Sequence, residues 1–237
     1  MIKSAMVMAA GLGTRMRPLT LNRPKPLVQV ANKALIDHCL DKLREAGIRD
    51  VVVNVHYLPD MIRAHLAANA HDLNISISDE SAMLLETGGG LVKALPLLPA
   101  DPFYCINSDN IWTDAHENAL LSLADAWDNE KMDGLLLIVP HGNAFNHNGA
   151  GDFFLEADGK LRRRGDNPAA PYIYTGIQLI SHRLLIDPPS GAFSTNVFWN
   201  RAIACGRLYG AVHLGEWFDI GSPAAIAPAE AKLMTIG

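Results

Sequence analysis

The residues best suited to chemistry cluster early in the chain, in MAAGLGTRMRPLTLNRPKPLVQV (residues 8–30). An apolar run over residues 2–10 breaks at Gly11 and Gly13. Arg15, Arg17 and Lys25 then follow among Pro18, Pro24 and Pro26. A glycine turn at the carboxyl end of a buried strand lets backbone N–H groups converge on an anion. Cations just beyond it neutralise phosphate charge, and prolines hold the loop without consuming donors. The pattern predicts a polyphosphate site; the plainer alternative is a structural turn with solvated cations. Two common glycine motifs are excluded. Met16 stands at the third-glycine position of G-x-G-x-x-G, and no G-x-x-x-x-G-K-[ST] occurs in the chain.

Two further groups carry carboxylates. Asn107-Ser108-Asp109-Asn110 follows the apolar run 103–106, and Asp219 sits in Trp217-Phe218-Asp219-Ile220-Gly221. Carboxylates just past strand ends can hold a divalent cation that bridges phosphate oxygens. Magnesium needs only one or two of them beside phosphate and water. Taken alone, each reads equally as a turn former or helix cap, as Asp114 and Asp166 do. The third group is Ser78-Asp79-Glu80 followed by Leu85-Glu86-Thr87-Gly88-Gly89-Gly90. Glycines opening a helix let a flat base and its sugar approach the backbone. The alternative makes Thr87 a cap and Glu86 a solvated charge. His141 and His147 lack the spacing of zinc ligands and read as solvated loop histidines. Arg162-Arg163-Arg164 is either a solvated turn or a contact to substrate phosphate, and no Ser-His-Asp or Cys-His pattern stands out.

Alternating strands and helices must position these groups. Strand character appears over residues 3–9, 51–55, 75–78, 103–106, 134–139, 172–181 and 209–214. Helical patterns cover 34–46, 59–69, 88–95, 117–127, 196–205 and 223–233. Apolar runs such as 51–55 and 134–139 suit strands covered by helices on both faces. The expected fold is a doubly wound, mostly parallel α/β sheet with ligands at the carboxyl ends of its strands. Residues 140–171, rich in Gly, Asn, His and Asp, form a substrate-facing insertion with a hairpin at Asp158-Gly159. One domain over residues 1–237 is expected, since no repeat or low-complexity linker divides the chain.

Composition narrows the partners. With 20 Lys and Arg against 25 Asp and Glu, the net charge is −5, and no basic run is long enough for a nucleic-acid footprint. The apolar run 135–139 is too short to cross a bilayer, and no leader pattern precedes the first strand, so neither nucleic acid nor membrane is expected as a partner. Three cysteines without C-x-x-C spacing, with Cys39 and Cys105 read as buried thiols, point to a reducing, cytoplasmic setting. Monomer and homo-oligomer both stay open.

The string G-x-G-T-R-x-x-P-x-T-x-x-x-P-K-P-L, on Gly11, Gly13, Thr14, Arg15, Pro18, Thr20, Pro24, Lys25, Pro26 and Leu27, resembles the signature of sugar-1-phosphate nucleotidylyltransferases. The likeness runs from Met1 to about Leu233 and implies a Rossmann-like sheet of the glycosyltransferase-A type. With only residues 234–237 beyond Leu233, the C-terminal β-helix of larger relatives is expected to be absent. Asp109 matches the aspartate of the family's G-D pair, although Ser108 stands where glycine is usual, and Asp219 matches W-x-D-x-G. The resemblance implies Mg²⁺ ligands at both.

It further implies a division of labour. Arg15 and the Gly11–Thr14 backbone would hold the β- and γ-phosphates, and Lys25 would stabilise the α-phosphate; Arg15 and Lys25 are the catalytic pair. Ala10, Gly11, Gly13, Thr14, Arg15, Glu80, Thr87 and Gly88 would bind the nucleotide. Asn107, Gly151, Asp152, Thr175, Gly176 and Asn196 would hold the sugar phosphate. The expected substrates are a nucleoside triphosphate and a sugar 1-phosphate. Within the family, Leu85–Gly90, Ala94–Leu98, Asp109–Asp114 and Gly149–Phe153 are similar to the short members that join UTP to N-acetylmuramate 1-phosphate. Guanylyl transfer to mannose 1-phosphate stays open, as does a catalytically silent nucleotide-binding regulatory module.

Overall fold

Apolar runs become strands here wherever two layers of helix cover them. The computed structural model describes residues 2–236. It opens with β1 (Ser4–Met8), and after the glycine loop a hairpin of β2 (Gln29–Val30) and β3 (Lys33–Ala34) leads into α1 (Leu35–Glu45). Then come β4 (Asp50–Val55), α2 (Pro59–Asn69), β5 (Asn74–Asp79), α3 (Glu86–Ala94) and β6 (Phe103–Asn107). β7 (Ile111–Trp112), α4 (Ala119–Asp125), β8 (Gly134–Pro140), β9 (Ala144–Phe145), β10 (Phe153–Leu155) and β11 (Leu161–Arg163) follow. The chain closes with β12 (Tyr172–Ile180), α5 (Asn196–Ala204), β13 (Leu208–Val212), β14 (Trp217–Phe218) and α6 (Ile226–Ile236).

Nine strands form one mixed sheet, in the order β11-β10-β12-β6-β1-β4-β5, with β8 on β12 and β13 on β8. It is parallel from β5 to β6, and β12 then runs antiparallel to both β6 and β8. Each central strand feeds two cores. Ala5 and Val7 of β1, with Leu135, Leu137 and Val139 of β8, join α1, α2 and α4 on one face. Met6, Leu136 and Ile138 join α3 and α5 on the other. Such two-sided burial explains why these strands read as unbroken apolar runs instead of alternating ones. The doubly wound fold is as expected, including the hairpin β10–β11.

A second, three-stranded sheet was not expected. β14 pairs antiparallel with β7 and parallel with β9, matching Trp217 to Trp112 and to Ala144. A small third core of Met16, Val28, Val30, Leu35, Ile111, Phe218, Ile220 and Ala229 ties this sheet to the glycine loop and α6. Strands of two residues carry no readable period. Among the described residues no helix is long and apolar enough to cross a membrane. Cys39 and Cys105 are buried as read, and burial pushes the Cys105 thiol up to about 12, away from nucleophilic chemistry.

Candidate active site

The glycine loop sends its cations in different directions. Met16, fully buried, anchors a 3₁₀ turn over Thr14–Met16, and its neighbour Arg15 is left exposed. Gly13 has φ of 61°, and a Cβ there would lie 3.0 Å from Cβ of Lys25 and 3.1 Å from Cγ2 of Thr20. The Thr20 hydroxyl donates to the Gly13 carbonyl at 2.7 Å, closing the loop. A second 3₁₀ turn, Lys25–Leu27, buries Pro26 and sends Lys25 inward.

Two adjoining cavities open at the carboxyl ends of β1 and β6. The larger, about 400 Å³, is walled by Met8–Gly11, Gly13, Leu84, Glu86, Thr87 and Ser194. The smaller, about 190 Å³, is walled by Arg15, Asn110, Tyr174–Gly176 and Trp217–Ile220. Lys25, Asn107 and Asp109 line both. At that junction Lys25 Nζ pairs with Asp109 Oδ2 at 2.5 Å, its side chain only 13% exposed. Arg15 makes no hydrogen bond or ion pair among the described residues, so its guanidinium is free for a ligand. A Cβ on Gly221 would sit 3.0 Å from Asp219 Oδ1 and 3.4 Å from Arg15 Nη1, so this glycine keeps the two groups adjacent.

The three-stranded sheet brings the carboxylates to one cavity. Asp109 lies two residues before β7, and Asp219 directly follows β14. Oδ2 of each is engaged, by Lys25 and by His147 respectively. Oδ1 of each has no hydrogen-bond partner among the described residues. Two carboxylates, each about a third exposed and lining one cavity, suit Mg²⁺ completed by phosphate and water.

A bulge in β12 shapes the smaller cavity. The register with β8 shifts between Tyr174 and Gln178, and Gly176 takes φ of 81°. Bulges re-aim side chains beside active sites. A Cβ at Gly176 would lie 2.6 Å from Asn107 Nδ2 and 2.7 Å from Asn110 Nδ2, so only glycine admits both amides. Asn110 Nδ2 is buried without a partner among the described residues, a donor costing about 1–3 kcal/mol until something accepts from it.

Several expected contacts lie elsewhere. Glu80 is fully buried and lines neither cavity; it accepts from Asn54 Nδ2 at 2.7 Å and from the Leu85 N–H at 3.1 Å. Asn54 in turn accepts from the Ala9 N–H at 2.6 Å, so the pair ties α3 to the glycine loop. Gly88 also faces protein. Its N–H donates to the Phe193 carbonyl at 2.8 Å, and neighbouring Gly89 and Gly90 are buried as well. The triple glycine serves close packing, while Thr87 does line the larger cavity and accepts from the Thr195 N–H. Thr14 is exposed and lines neither cavity.

Gly88→Ala would place a methyl 2.5 Å from the Phe193 ring and 2.9 Å from its carbonyl oxygen. Overpacking of this kind is expected to destabilise by about 1–3 kcal/mol. Urea unfolding measures it, and an unchanged midpoint would refute the packing role.

Gly151, Asp152 and Asn196 line neither cavity. Asp152 accepts from the Tyr174 N–H at 2.9 Å, stitching the insertion to β12, and the Gly151 carbonyl accepts from Arg164. Asn196 accepts from Arg163 at 2.7 Å. The arginine triplet is therefore structural in the main: Arg162 stacks on Phe154, and Arg163 lies over Phe153 and Trp199. Of the two histidines, His141 is exposed as read, whereas His147 is partly buried. His141 Nε2 contacts the Ala170 carbonyl at 2.9 Å, and His147 Nδ1 lies 3.0 Å from Asp219. No spacing in the sequence could have paired residues 147 and 219. Ser194 was likewise missed, while Glu86 and Asn110, beside Thr87 and Asp109, carried only a positional hint.

Residues 4–147 match the family model described as nucleotidyl transferase. The chain is 46% identical over 234 residues to the N-acetylmuramate alpha-1-phosphate uridylyltransferase of Caulobacter vibrioides, covering 98% of this chain and 97% of that one. It is 35% identical to the protein of the same name from Neisseria meningitidis serogroup B, covering 96% of each. The solved structure of the inositol-1-phosphate CTP transferase from T. maritima has the same fold, with a TM-score of 0.80 at 16% identity over 99% of this chain and 95% of that one.

Proposed function

The chain belongs to the nucleotidyl transferase family, and from that premise we propose that it transfers the uridylyl group of UTP to N-acetylmuramate 1-phosphate. A phosphate oxygen of the acceptor attacks the α-phosphorus, the bond to the β-phosphate oxygen breaks, and pyrophosphate leaves with that electron pair. The product is UDP-N-acetylmuramate, a nucleotide sugar that would return wall material to synthesis in the cytoplasm. The acceptor is already an anion at neutral pH, so no general base is required. What remains is alignment and charge neutralisation.

The observation that carries this reading is the Lys25–Asp109 pair at the seam of two cavities. In the proposed arrangement the larger cavity takes base and ribose against Ala10, Gly11 and Thr87. Arg15 and the Gly13–Thr14 backbone take the β- and γ-phosphates. The smaller cavity takes the acceptor, with the Asn107 amide donating to it beside Asn110, Thr175 and Gly176. Lys25 meets both substrates where the new bond forms. Asp109 and Asp219 would hold Mg²⁺ through their free Oδ1 atoms, and the cation when bound neutralises phosphate charge shared by the two substrates. The agreement along nearly the full length of the Caulobacter relative supports UTP and the muramate acceptor.

Pyrophosphate release is the test, with UTP, GTP and dTTP each offered muramate, glucose and mannose 1-phosphates. UTP with N-acetylmuramate 1-phosphate is expected to give the highest kcat/KM. A higher value for GTP with mannose 1-phosphate would overturn the substrate assignment, and release with no pair would favour a silent module.

A further inference from the structure

His147 reaches the site by an indirect route. After β9 the chain turns through Asn146, held at φ of 62° with its side-chain amide donating to the Ala225 carbonyl at 3.0 Å. This turn returns His147 to β14, where its ring lies 5.8 Å from that of Trp217 between centroids. Gly149 closes over it, since a Cβ there would sit 2.4 Å from Nε2. So enclosed, the imidazole is 20% exposed and has little freedom to rotate.

Its Nδ1 lies 3.0 Å from Asp219 Oδ2. The Asp219 N–H donates to the Phe145 carbonyl at 3.0 Å, so one short segment grips both the backbone and the carboxylate. With Oδ2 held, Oδ1 is the oxygen left for the cavity. The same segment continues to Asp152, whose carboxylate caps the Tyr174 N–H beside that cavity. A shift of the segment would therefore move the Asp219 carboxylate and the Tyr174 wall together.

We propose that His147 is a positioning residue: its Nδ1–H fixes the Asp219 carboxylate and so couples the acceptor-side segment to the cation site. This rests on the reading of Asp219 as a ligand of the shared cation. Hydrogen bonds to metal-ligating groups set ligand orientation, and their removal weakens metal binding by about 10–100-fold.

The test is Mn²⁺ binding to the protein with UTP, followed by electron paramagnetic resonance, alongside steady-state kinetics. His147→Ala is expected to weaken Mn²⁺ binding at least tenfold and to raise the acceptor KM, with the KM for UTP little changed at saturating metal. His147→Asn, whose amide can donate from nearly the same place, is expected to restore most of the affinity. Unchanged Mn²⁺ affinity in the alanine variant overturns the proposal. So does an asparagine variant as weak as alanine at an equal melting temperature, because ring packing alone would then account for the defect. A wild-type protein that binds no Mn²⁺ with UTP would instead remove the cation reading, and this proposal with it.

Discussion

Lys25→Ala is expected to lower kcat by about 10²–10³-fold or more while leaving the protein folded. Loss of a preorganised charge at the reacting centre removes stabilisation that water does not replace in a closed site. Lys25 is such a charge: mostly buried, paired with Asp109 at 2.5 Å, and lining both cavities. The Lys25 Cβ beside Gly13 survives in alanine, but the buried stem beyond it is lost as well. Lys25→Met retains the stem and isolates the charge; it is expected to be as inactive as alanine. Pyrophosphate release and circular dichroism together decide the matter. Turnover at the wild-type rate in a folded variant would remove Lys25 from the chemistry.

Asp109→Asn comes second. The substitution keeps the shape and removes the charge, so the fold and the 2.5 Å contact partner Lys25 remain in place. Two carboxylates lining one cavity are a sufficient protein set for a magnesium ion shared with phosphates. Halving that set is expected to raise the Mg²⁺ concentration for half-maximal rate at least tenfold and to cut the rate at saturation. A magnesium titration at fixed substrate reads both. An unchanged titration curve would exclude Asp109 as a ligand. The contrast with Lys25→Met is diagnostic, since excess metal should partly recover Asp109→Asn and never the lysine variants.

The larger elements were legible for a definite reason. Val51–Val55 and Leu135–Val139 are buried on both faces, so their sequences are apolar but for the hydrogen-bonded Asn54, and helices such as Pro59–Asn69 keep their stripes. The loop from Gly11 to Lys25 was legible because each of its residue types has few other uses in that order. What stayed hidden depends on contacts remote in sequence. The pairing of Trp217 with Trp112 and Ala144 spans more than the whole insertion, and His147 meets Asp219 only through it. Gly88–Gly90 misled for another reason. A glycine demanded by Phe193, by Gly191 or by Glu80 looks the same in sequence as one demanded by a ligand. Glu80 itself reads as a charged loop residue, and only the partnership with Asn54 explains its complete burial.

The change of direction in the main sheet has a consequence for how selectivity can evolve. On the parallel side, the loop after β1 and the approach to α3 shape one wall; on the antiparallel side, the β12 bulge and the segment before Gly221 shape the other. The walls have only Lys25, Asn107 and Asp109 in common. On the proposed assignment of the two cavities, donor and acceptor preferences would be carried largely by separate stretches of chain, with Arg15 and the shared residues of the seam as the exceptions. A change of sugar would then need no change of base.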